Sequence, residues 1–194
     1  MIKLALLRHG HTPWNREGRI QGRTDIALDP EAAEQLSKLA LPDSWGHADV
    51  WSSPLKRAAQ TAQIVTRQTP KTSLALTEMD WGDWEGQHGK DLKADPQSGF
   101  KDIEDWGWSF APRGGERVDA VLARLLPWAN ARTHDTLAVC HIGVMRVLLA
   151  HATGWNFEGP APFQIKRNRL FVIKISDAGW EMQADPIRLV ESNT

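Results

Sequence analysis

IKLALLRHGH, at residues 2–11, is an apolar run that ends abruptly in charged and polar residues. Such a run is typical of a buried strand, and the polar residues after it predict a loop at the strand end. Segments 49–52 and 136–140 are also predicted strands, and predicted helices follow both. Because strands alternate with helices, the sequence predicts an α/β fold, a three-layer α/β/α sandwich with a mainly parallel central sheet.

Helix-start signals and apolar spacing predict the other elements. Asp29 caps a helix that opens at Pro30, with helical spacing to Ala40, and Ser53-Pro54 opens a second helix. Further predictions are a strand over 72–76, helices over about 116–131 and 143–152, and strands over 170–175 and about 180–183. The chain, 1–194, is predicted to be a single domain with an irregular loop or lid segment at about 80–115.

Composition and charge restrict the possible functions. Lys and Arg number 23 against 24 Asp and Glu, so neither nucleic acid nor an anionic membrane is expected as a partner. Cys140 is the single cysteine, which excludes a disulfide framework and a cysteine-based zinc site. The apolar N-terminal run is too short for a signal peptide, and no segment approaches the roughly 18 apolar residues of a membrane span. We expect a cytoplasmic protein, and its oligomeric state stays open.

Charged residues follow several of the predicted strands. Arg8 and His9 follow the first strand, and Arg57 lies in the first turn of the helix after the second. Glu78 follows the third strand, and His141 follows the strand that ends at residue 140. The carboxyl ends of parallel strands share the edge at which α/β sheets bind ligands. Because guanidinium groups match phosphate oxygens, imidazole attacks phosphorus and a carboxyl group protonates a leaving oxygen, these residues predict phosphoryl transfer.

Five motifs occur in order along the chain: LRHGxTxWN at 7–15, QGRTD at 21–25, SSPLxRAxQTA at 52–62, ExxWGDWEG at 78–86 and CHxGVxR at 140–146. Together they resemble the histidine phosphatase superfamily, in its phosphoglycerate-mutase-like branch. A segment at 114–116 also fits, and the resemblance extends from residue 3 to about 154. An isolated Arg-His-Gly would be weak support, whereas five ordered motifs are specific. The resemblance implies the phosphoglycerate mutase-like fold.

The resemblance also implies a phosphohistidine mechanism. Its catalytic residues would be Arg8, His9, Arg57, Glu78 and His141, and its substrate-binding residues would be Arg8, Asn15, Gln21, Gly22, Arg57 and His141. His9 would be the nucleophile, and Glu78 would protonate the leaving group and then activate water. The substrate would be a small phosphomonoester. We expect no metal and no cofactor, because the arginines supply the positive charge.

Two residues depart from the family pattern. His11 stands where the family usually has Glu or Gln, and Ile142 where it often has Gly. Neither change removes a catalytic group. His11 would add a titratable group beside the substrate, and Ile142 would restrict the backbone and shape the pocket.

Alternatives to a histidine phosphatase fit the sequence less well. His9 and His11 could form a metal-ligand pair, but hydrolases of that type are usually longer barrels and no convincing further ligands are present. Cys140 and His141 point to opposite faces of a strand, which disfavours a thiol dyad. A binding module on this fold would have lost a catalytic group. A phosphoglycerate mutase would have a longer, basic insertion than the mixed-charge segment 84–114.

Two assignments stay open at this level. Asp80 lies close enough to Glu78 in sequence to compete for the role of general acid. Trp106, Trp108 and Phe110 either pack the 80–115 segment onto the body of the protein or form an apolar lid. A lid of this kind would favour bulky or aromatic phosphomonoesters.

Overall fold

Nine strands and six α-helices form within residues 1–192, the part of the chain that the structure, a computed structural model, describes. The strands are β1 (Ile2–Arg8), β2 (Leu39–Ala40), β3 (Asp49–Ser52), β4 (Lys71–Thr72), β5 (Thr136–Cys140), β6 (Arg169–Ser176), β7 (Gly179–Met182), β8 (Ile187–Arg188) and β9 (Val190–Glu191). The helices are α1 (Pro13–Glu17), α2 (Pro30–Ser37), α3 (Lys56–Thr66), α4 (Gly89–Ala94), α5 (Val118–Asn130) and α6 (Ile142–Thr153). Short 3₁₀ turns occupy Asp43–Trp45, Leu74–Leu76, Gly82–Trp84 and Pro96–Ser98.

The central sheet has the strand order β4-β3-β5-β1-β6-β7, and β8 pairs with β6. β4, β3, β5 and β1 are parallel, whereas β6 runs antiparallel to β1 and pairs antiparallel with β7 and β8. β2 and β9 form a separate two-stranded sheet. The four parallel strands therefore end at one common edge, where α/β sheets bind their ligands.

Alternate residues of β1 pack on opposite faces of the sheet. Leu4 and Leu6 belong to the apolar cluster that contains residues of α5 and α6. Ala5 and Leu7 belong to the cluster that contains residues of α2 and α3. Each fully buried Leu stabilises the fold by roughly 1.5–3 kcal/mol. These two clusters confirm the predicted α/β/α sandwich, in which the sheet lies between two layers of helices.

Several element boundaries differ from the sequence prediction. The strand predicted over 72–76 is wrong: β4 ends at Thr72, and the next residues form a 3₁₀ turn because the Ser73 hydroxyl accepts a hydrogen bond from the Ala75 N–H. The helix predicted from Pro30 to Ala40 ends at Ser37, and Leu39–Ala40 instead pairs with β9. α3 and α5 each begin about two residues later than predicted, a difference common at helix ends.

Some short elements had no signal in the sequence. α1 and α4 are single-turn or two-turn helices, and β8 and β9 have two residues each, which is too short for a hydrophobic period to develop. α4 lies inside the segment predicted to be irregular. Across residues 1–192, no helix combines the length and the apolar character that crossing a bilayer requires.

Candidate active site

Backbone hydrogen bonds align the chain segments that leave the parallel strands. The His9 N–H donates to the Cys140 carbonyl at 3.0 Å, so the β1–β5 pairing continues past the end of β1. The Ser53 N–H donates in the same way to the Val139 carbonyl at 3.0 Å. These bonds bring the segments after β1, β3 and β5 together at the carboxyl edge of the sheet. As a result, His9 and His141 are neighbours, with ring centroids 5.2 Å apart.

The geometry of His9 leaves one ring nitrogen free to react. His9 is buried, and its Nδ1 lies 2.6 Å from the Gly10 carbonyl oxygen. A carbonyl only accepts, so Nδ1 carries the proton and Nε2 keeps its lone pair. Burial, reinforced by the charges of Arg57 and Arg8, lowers the pKa of His9 well below its usual value. His9 is therefore a neutral imidazole whose Nε2 is a candidate nucleophile.

Several buried side-chain nitrogens around His9 have no hydrogen-bond partner in the part of the chain that the structure describes. His141 is fully buried, and within residues 1–192 neither of its ring nitrogens has a hydrogen-bond partner. The same holds for Nε of Arg8 and Nε of Arg57. Burial, followed by the charge of Arg57, lowers the pKa of His141 well below its usual value. Because an unsatisfied buried donor costs about 1–3 kcal/mol, this group of nitrogens fits an anion with several acceptor oxygens.

Arg57 is held in place by the loop at residues 21–25. Its Nη2 donates to the Gly22 carbonyl at 2.6 Å and its Nη1 to the Thr24 carbonyl at 3.0 Å. Glu85 fixes the same loop, since its carboxylate accepts from the backbone N–H of Arg23 and of Thr24. Gly22, a predicted substrate-binding residue, therefore contacts Arg57 through its carbonyl and does not line the cavity described below.

Glu78 lies at the amino-terminal end of α6. Its carboxylate oxygens accept from the N–H of Met79 at 2.8 Å, of Gly143 at 3.2 Å and of Val144 at 3.3 Å. A Cβ at position 143 would overlap the Glu78 Oε1 atom, so any larger residue there would force the carboxyl group to move. Burial raises the pKa of Glu78 above its usual value, and the backbone donors and Arg57 oppose this only in part. A carboxyl group with a raised pKa is suited to general acid catalysis.

The other nearby carboxylates already have partners. Asp80 accepts from the Gly82 N–H at 2.9 Å and lies 3.6 Å from an Arg23 nitrogen. Asp83 forms an ion pair with Arg113 at 2.6 Å. Neither side chain lines the cavity, whereas Glu78 does. The geometry thus favours Glu78 over Asp80 as the general acid.

Two side-chain amides face the same space with free donors. The Asn15 Oδ1 atom accepts from the Thr12 N–H at 3.3 Å and from Arg167 Nη2 at 2.9 Å, which fixes the amide orientation. The Gln21 Oε1 atom accepts from the Thr12 hydroxyl at 3.0 Å, and within residues 1–192 its buried Nε2 has no partner. Both NH₂ groups are therefore available to donate to a ligand.

A cavity of about 340 Å³ connects these groups. Of the predicted site residues, Arg8, His9, Asn15, Gln21 and Glu78 line it. Arg57, His141 and Gly22 do not line it and are buried behind it. The rest of the wall is mainly apolar and is formed by Ile20, Trp81, Trp84, Phe100, Ile103, Trp106 and Ile142, with Arg19, Gly89, Lys101, Asp102 and Arg146 also lining the cavity.

Sequence reasoning missed Arg167. Its Nε donates to the His9 carbonyl at 3.2 Å and its Nη2 to the Asn15 side chain. Burial and the charge of Arg167 are the two largest contributions that lower the pKa of Arg8, to about 9. Arg167 lies in no motif, and nothing in the local sequence indicates this contact.

The two departures from the family pattern have different positions. Ile142 lines the cavity, as expected of a residue that shapes the pocket. His11 is half-buried and does not line the cavity. Burial, with the charges of Arg167 and Arg16, lowers the pKa of His11. His11 is therefore mainly neutral near pH 7 and adds little charge beside the cavity.

Two alternative sites lack the geometry that they need. Within residues 1–192, no group of three or more His, Cys, Asp or Glu side chains is arranged to hold a metal ion, so His9 and His11 have no further ligands. Cys140 is fully buried, and this burial raises the pKa of its thiol. A neutral, inaccessible thiol is a poor nucleophile.

The fold and the site define a class: an α/β protein with a buried, arginine-rich histidine site at the carboxyl edge of its parallel strands. The model of the histidine phosphatase superfamily (branch 1) matches residues 4–185. The chain therefore belongs to the histidine phosphatase superfamily.

Relatives and solved structures agree with this assignment. The adenosylcobalamin/alpha-ribazole phosphatase of Escherichia coli K12 is 30% identical over 186 residues, which covers 90% of this chain and 91% of that protein. The crystal structure of phosphoglycerate mutase from Thermus thermophilus has a TM-score of 0.70 at 26% identity and covers 98% of this chain and 100% of its own. A mycobacterial glucosyl-3-phosphoglycerate phosphatase has a similar fold, with a TM-score of 0.79 at 22% identity and coverage of 98% and 100%.

Proposed function

We propose that residues 1–194 form a single histidine phosphatase domain, a metal-independent phosphomonoester hydrolase that acts through a covalent phosphohistidine on a small phosphorylated metabolite. The observation that carries the proposal is the state of His9. Its Nδ1 proton is bound to the Gly10 carbonyl, its Nε2 is free, and its lowered pKa keeps it neutral. Arg8, Arg57 and His141 supply the surrounding donors that lack protein acceptors.

In the first step, the His9 Nε2 lone pair attacks phosphorus and the bond from phosphorus to the leaving oxygen breaks. Protonated Glu78 gives its proton to that oxygen, so the product leaves as a neutral alcohol. Arg8 and Arg57 stabilise the charge on the phosphoryl oxygens, with Asn15 and Gln21 as further amide donors. The Gly10 carbonyl accepts the hydrogen bond from Nδ1–H, which carries part of the positive charge of the phosphorylated imidazole.

In the second step, water attacks the phosphohistidine. Glu78, now a carboxylate, accepts a proton from the water as the new oxygen–phosphorus bond forms. The bond between Nε2 and phosphorus breaks, inorganic phosphate leaves, and both His9 and Glu78 return to their starting protonation states. No step uses a metal ion or a cofactor.

Two observations favour hydrolysis over a mutase reaction. The segment 84–114 mixes basic and acidic residues, and one of its lysines, Lys93, forms an ion pair with Asp102 at 2.6 Å. The relative from Escherichia coli is named a phosphatase and matches the chain over nearly its whole length. The partner is then a small phosphomonoester and not a nucleic acid or a membrane, and the proposed location is the cytoplasm.

The test is turnover of p-nitrophenyl phosphate and 3-phosphoglycerate, with and without EDTA. We expect phosphate release that resists EDTA and falls about 10⁴-fold or more in His9→Ala, because the nucleophile is lost. His11→Ala is the matched control, since His11 does not line the cavity, and it should retain activity. Isomerisation of 3-phosphoglycerate without phosphate release would indicate a mutase, and inhibition by EDTA would indicate a metal enzyme.

A further inference from the structure

Away from His9, much of the cavity wall is built from rings and aliphatic side chains, and Arg19, Lys101, Asp102 and Arg146 also line it. Trp81, Trp84, Phe100 and Trp106 line this part, together with Ile103 and Ile142. A sugar or sugar acid would require hydroxyl or carboxylate partners at this distance from the phosphate. The rings and aliphatic side chains offer no such partners, whereas they remove the surface of an apolar group from water.

Two of the four charged side chains that line this part of the cavity are held in ion pairs. Arg19 forms an ion pair with Glu17 at 2.6 Å, and Asp102 forms one with Lys93. The Lys101 ammonium lies 6.0 Å from the centre of the Phe110 ring. Arg146 has no hydrogen bond or ion pair within residues 1–192, but its charge interacts with Glu78 and Arg8. The charge of Arg146 also interacts with that of Glu104, in the 84–114 segment.

Neighbouring rings hold the aromatic wall in place from behind. Trp84 stacks on Trp81 with centroids 6.3 Å apart, and Trp84 contacts Phe100 at 5.0 Å. Trp106 stacks on Phe110 at 5.0 Å, with an angle of 16° between the rings. The ring surfaces are therefore fixed before a ligand binds, which reduces the entropy lost on binding.

The three residues of the predicted lid divide into two kinds. Trp106 packs in the aromatic cluster and also lines the cavity. Trp108 and Phe110 pack in the cluster and do not line the cavity. Trp108 contacts the Phe157 ring at 5.1 Å. A substitution at Trp108 changes only the packing of the cluster, whereas one at Trp106 also changes the cavity wall. Trp108 therefore provides a control for Trp106.

We infer that this wall is the subsite for the leaving group, and that the substrates are phosphomonoesters whose alcohol carries a planar aromatic ring close to the esterified oxygen. The inference rests on the proposed hydrolase function and specifies its substrate class. The phosphoryl group would lie between Arg8, His9 and Glu78, and the ring would pack against Phe100 and Trp106.

The test compares two substrates whose alcohols have similar acidity, 2-phenylethyl phosphate and n-propyl phosphate, so that only the ring differs. We expect the kcat/KM of the wild type to be roughly 30-fold higher for 2-phenylethyl phosphate than for n-propyl phosphate, because the apolar surface of the ring is buried. Trp106→Ala and Phe100→Ala should each reduce this ratio to about fivefold or less. Trp108→Ala should keep the wild-type ratio. Because the readout is a ratio within one variant, a general loss of activity cancels.

Binding of the corresponding phosphonates separates the two proposals, because their carbon–phosphorus bond is not cleaved. Calorimetry should give tighter binding of 2-phenylethylphosphonate than of n-propylphosphonate by roughly tenfold or more in the wild type. If the protein binds 2-phenylethylphosphonate more tightly but hydrolyses neither phosphomonoester, the proposed subsite stands and the proposed hydrolase function is refuted. Hydrolysis without ring preference, or an equal loss of preference in Trp106→Ala and Trp108→Ala, would refute the subsite. If Trp106→Ala misfolds, Trp106→Leu serves, with a smaller loss of preference expected.

Discussion

The phosphate end and the aromatic end of the cavity are positioned by different means. At the phosphate end, His9 and His141 lie directly after strands and are aligned by the bond from the His9 N–H to the Cys140 carbonyl. At the aromatic end, Phe100 and Trp106 lie in a segment without strands and are positioned by contacts between rings. The sheet thus fixes the reacting groups, and side-chain packing fixes the surface offered to the leaving group.

This difference separates chemistry from selectivity. A change confined to residues 100–106 can reshape the aromatic wall without moving the strand ends, because these residues are far along the chain from those that directly follow β1 and β5. The reverse does not hold, because His9 and His141 directly follow neighbouring strands, and a displaced strand end would move both. Substitutions at the phosphate end should therefore affect all substrates alike, and those at the aromatic end should affect substrates unequally.

Glu78→Gln offers the strongest test of this separation. We expect the rate of the first chemical step to fall about 10²–10⁴-fold for both 2-phenylethyl and n-propyl phosphate, because both alcohols need the proton. The pKa of Glu78 is raised, and the acid is lost as pH rises through that pKa, so the alkaline limb of the wild-type profile should disappear in the variant. Single-turnover alcohol release as a function of pH measures both effects.

Asp80→Asn is the matched control for Glu78→Gln, since Asp80 is a nearby carboxylate that does not line the cavity. It should keep the alkaline limb. If Asp80→Asn removed the limb and Glu78→Gln did not, Asp80 would be the proton donor. A loss that differed strongly between the two substrates would contradict the separation of the two ends.

Arg167→Gln should have a smaller effect, a roughly 10–100-fold loss in kcat/KM on both substrates, because two charge-assisted hydrogen bonds orient the His9 backbone and the Asn15 amide. Arg167 is a positioning residue, so its variant should also alter the pH profile. The charge of Arg167 lowers the pKa of His9, and removing it should raise that pKa and move the acid limb to higher pH. Lys166→Gln, at an exposed neighbouring position, is the control. An unchanged acid limb would contradict this role.

The smallest expected effect concerns stability. The pKa of His9 and of His141 is well below the usual value in the folded protein, while the unfolded chain binds protons with a pKa near 6.5. The unfolded state is therefore favoured as pH falls below about 6.5, and each histidine lowers the free energy of unfolding by up to ~1.4 kcal/mol per pH unit.

Urea unfolding between about pH 7.5 and 5.5 measures this slope. His141→Asn should reduce this pH dependence of the free energy of unfolding by about the contribution of one buried histidine. His134→Asn, at an exposed position, is the control and should leave it unchanged. Trp106→Ala should also leave it unchanged, which would restrict the acid sensitivity to the phosphate end. An equal reduction in His134→Asn would show that burial is not its origin.

The sequence predicted best those features that follow from the order of strands and helices along the chain. The alternation of strands and helices predicted the sandwich, and the rule that ligands bind at strand ends predicted that Arg8, His9 and His141 would lie together. The local boundaries were less predictable, as with the 72–76 segment, where the Ser73 side chain and two backbone hydrogen bonds form a 3₁₀ turn after the strand. The choice between a strand and a 3₁₀ turn in this segment depends on a few local hydrogen bonds, which leave no periodic pattern in the sequence.

The remaining parts of the site depend on long-range packing. Arg167 reaches His9 from 158 positions away in the chain, and no local pattern predicts a contact at that separation. The roles of Trp106 and Trp108 differ although the two residues are two positions apart, because only one of them faces the cavity. The sequence left open whether these rings pack the segment or face a ligand, and only the packed structure separates the inner rings from the cavity wall.

The contact between Glu78 and position 143 has a consequence for comparing members of the superfamily. The carboxyl group fills the space in which a side chain at 143 would lie, so the two positions are expected to vary together. A member whose acid is on a different loop would be released from the requirement for glycine at the start of this helix. The residue at position 143 would then indicate, from sequence alone, whether a member of the superfamily has its proton donor at the position of Glu78.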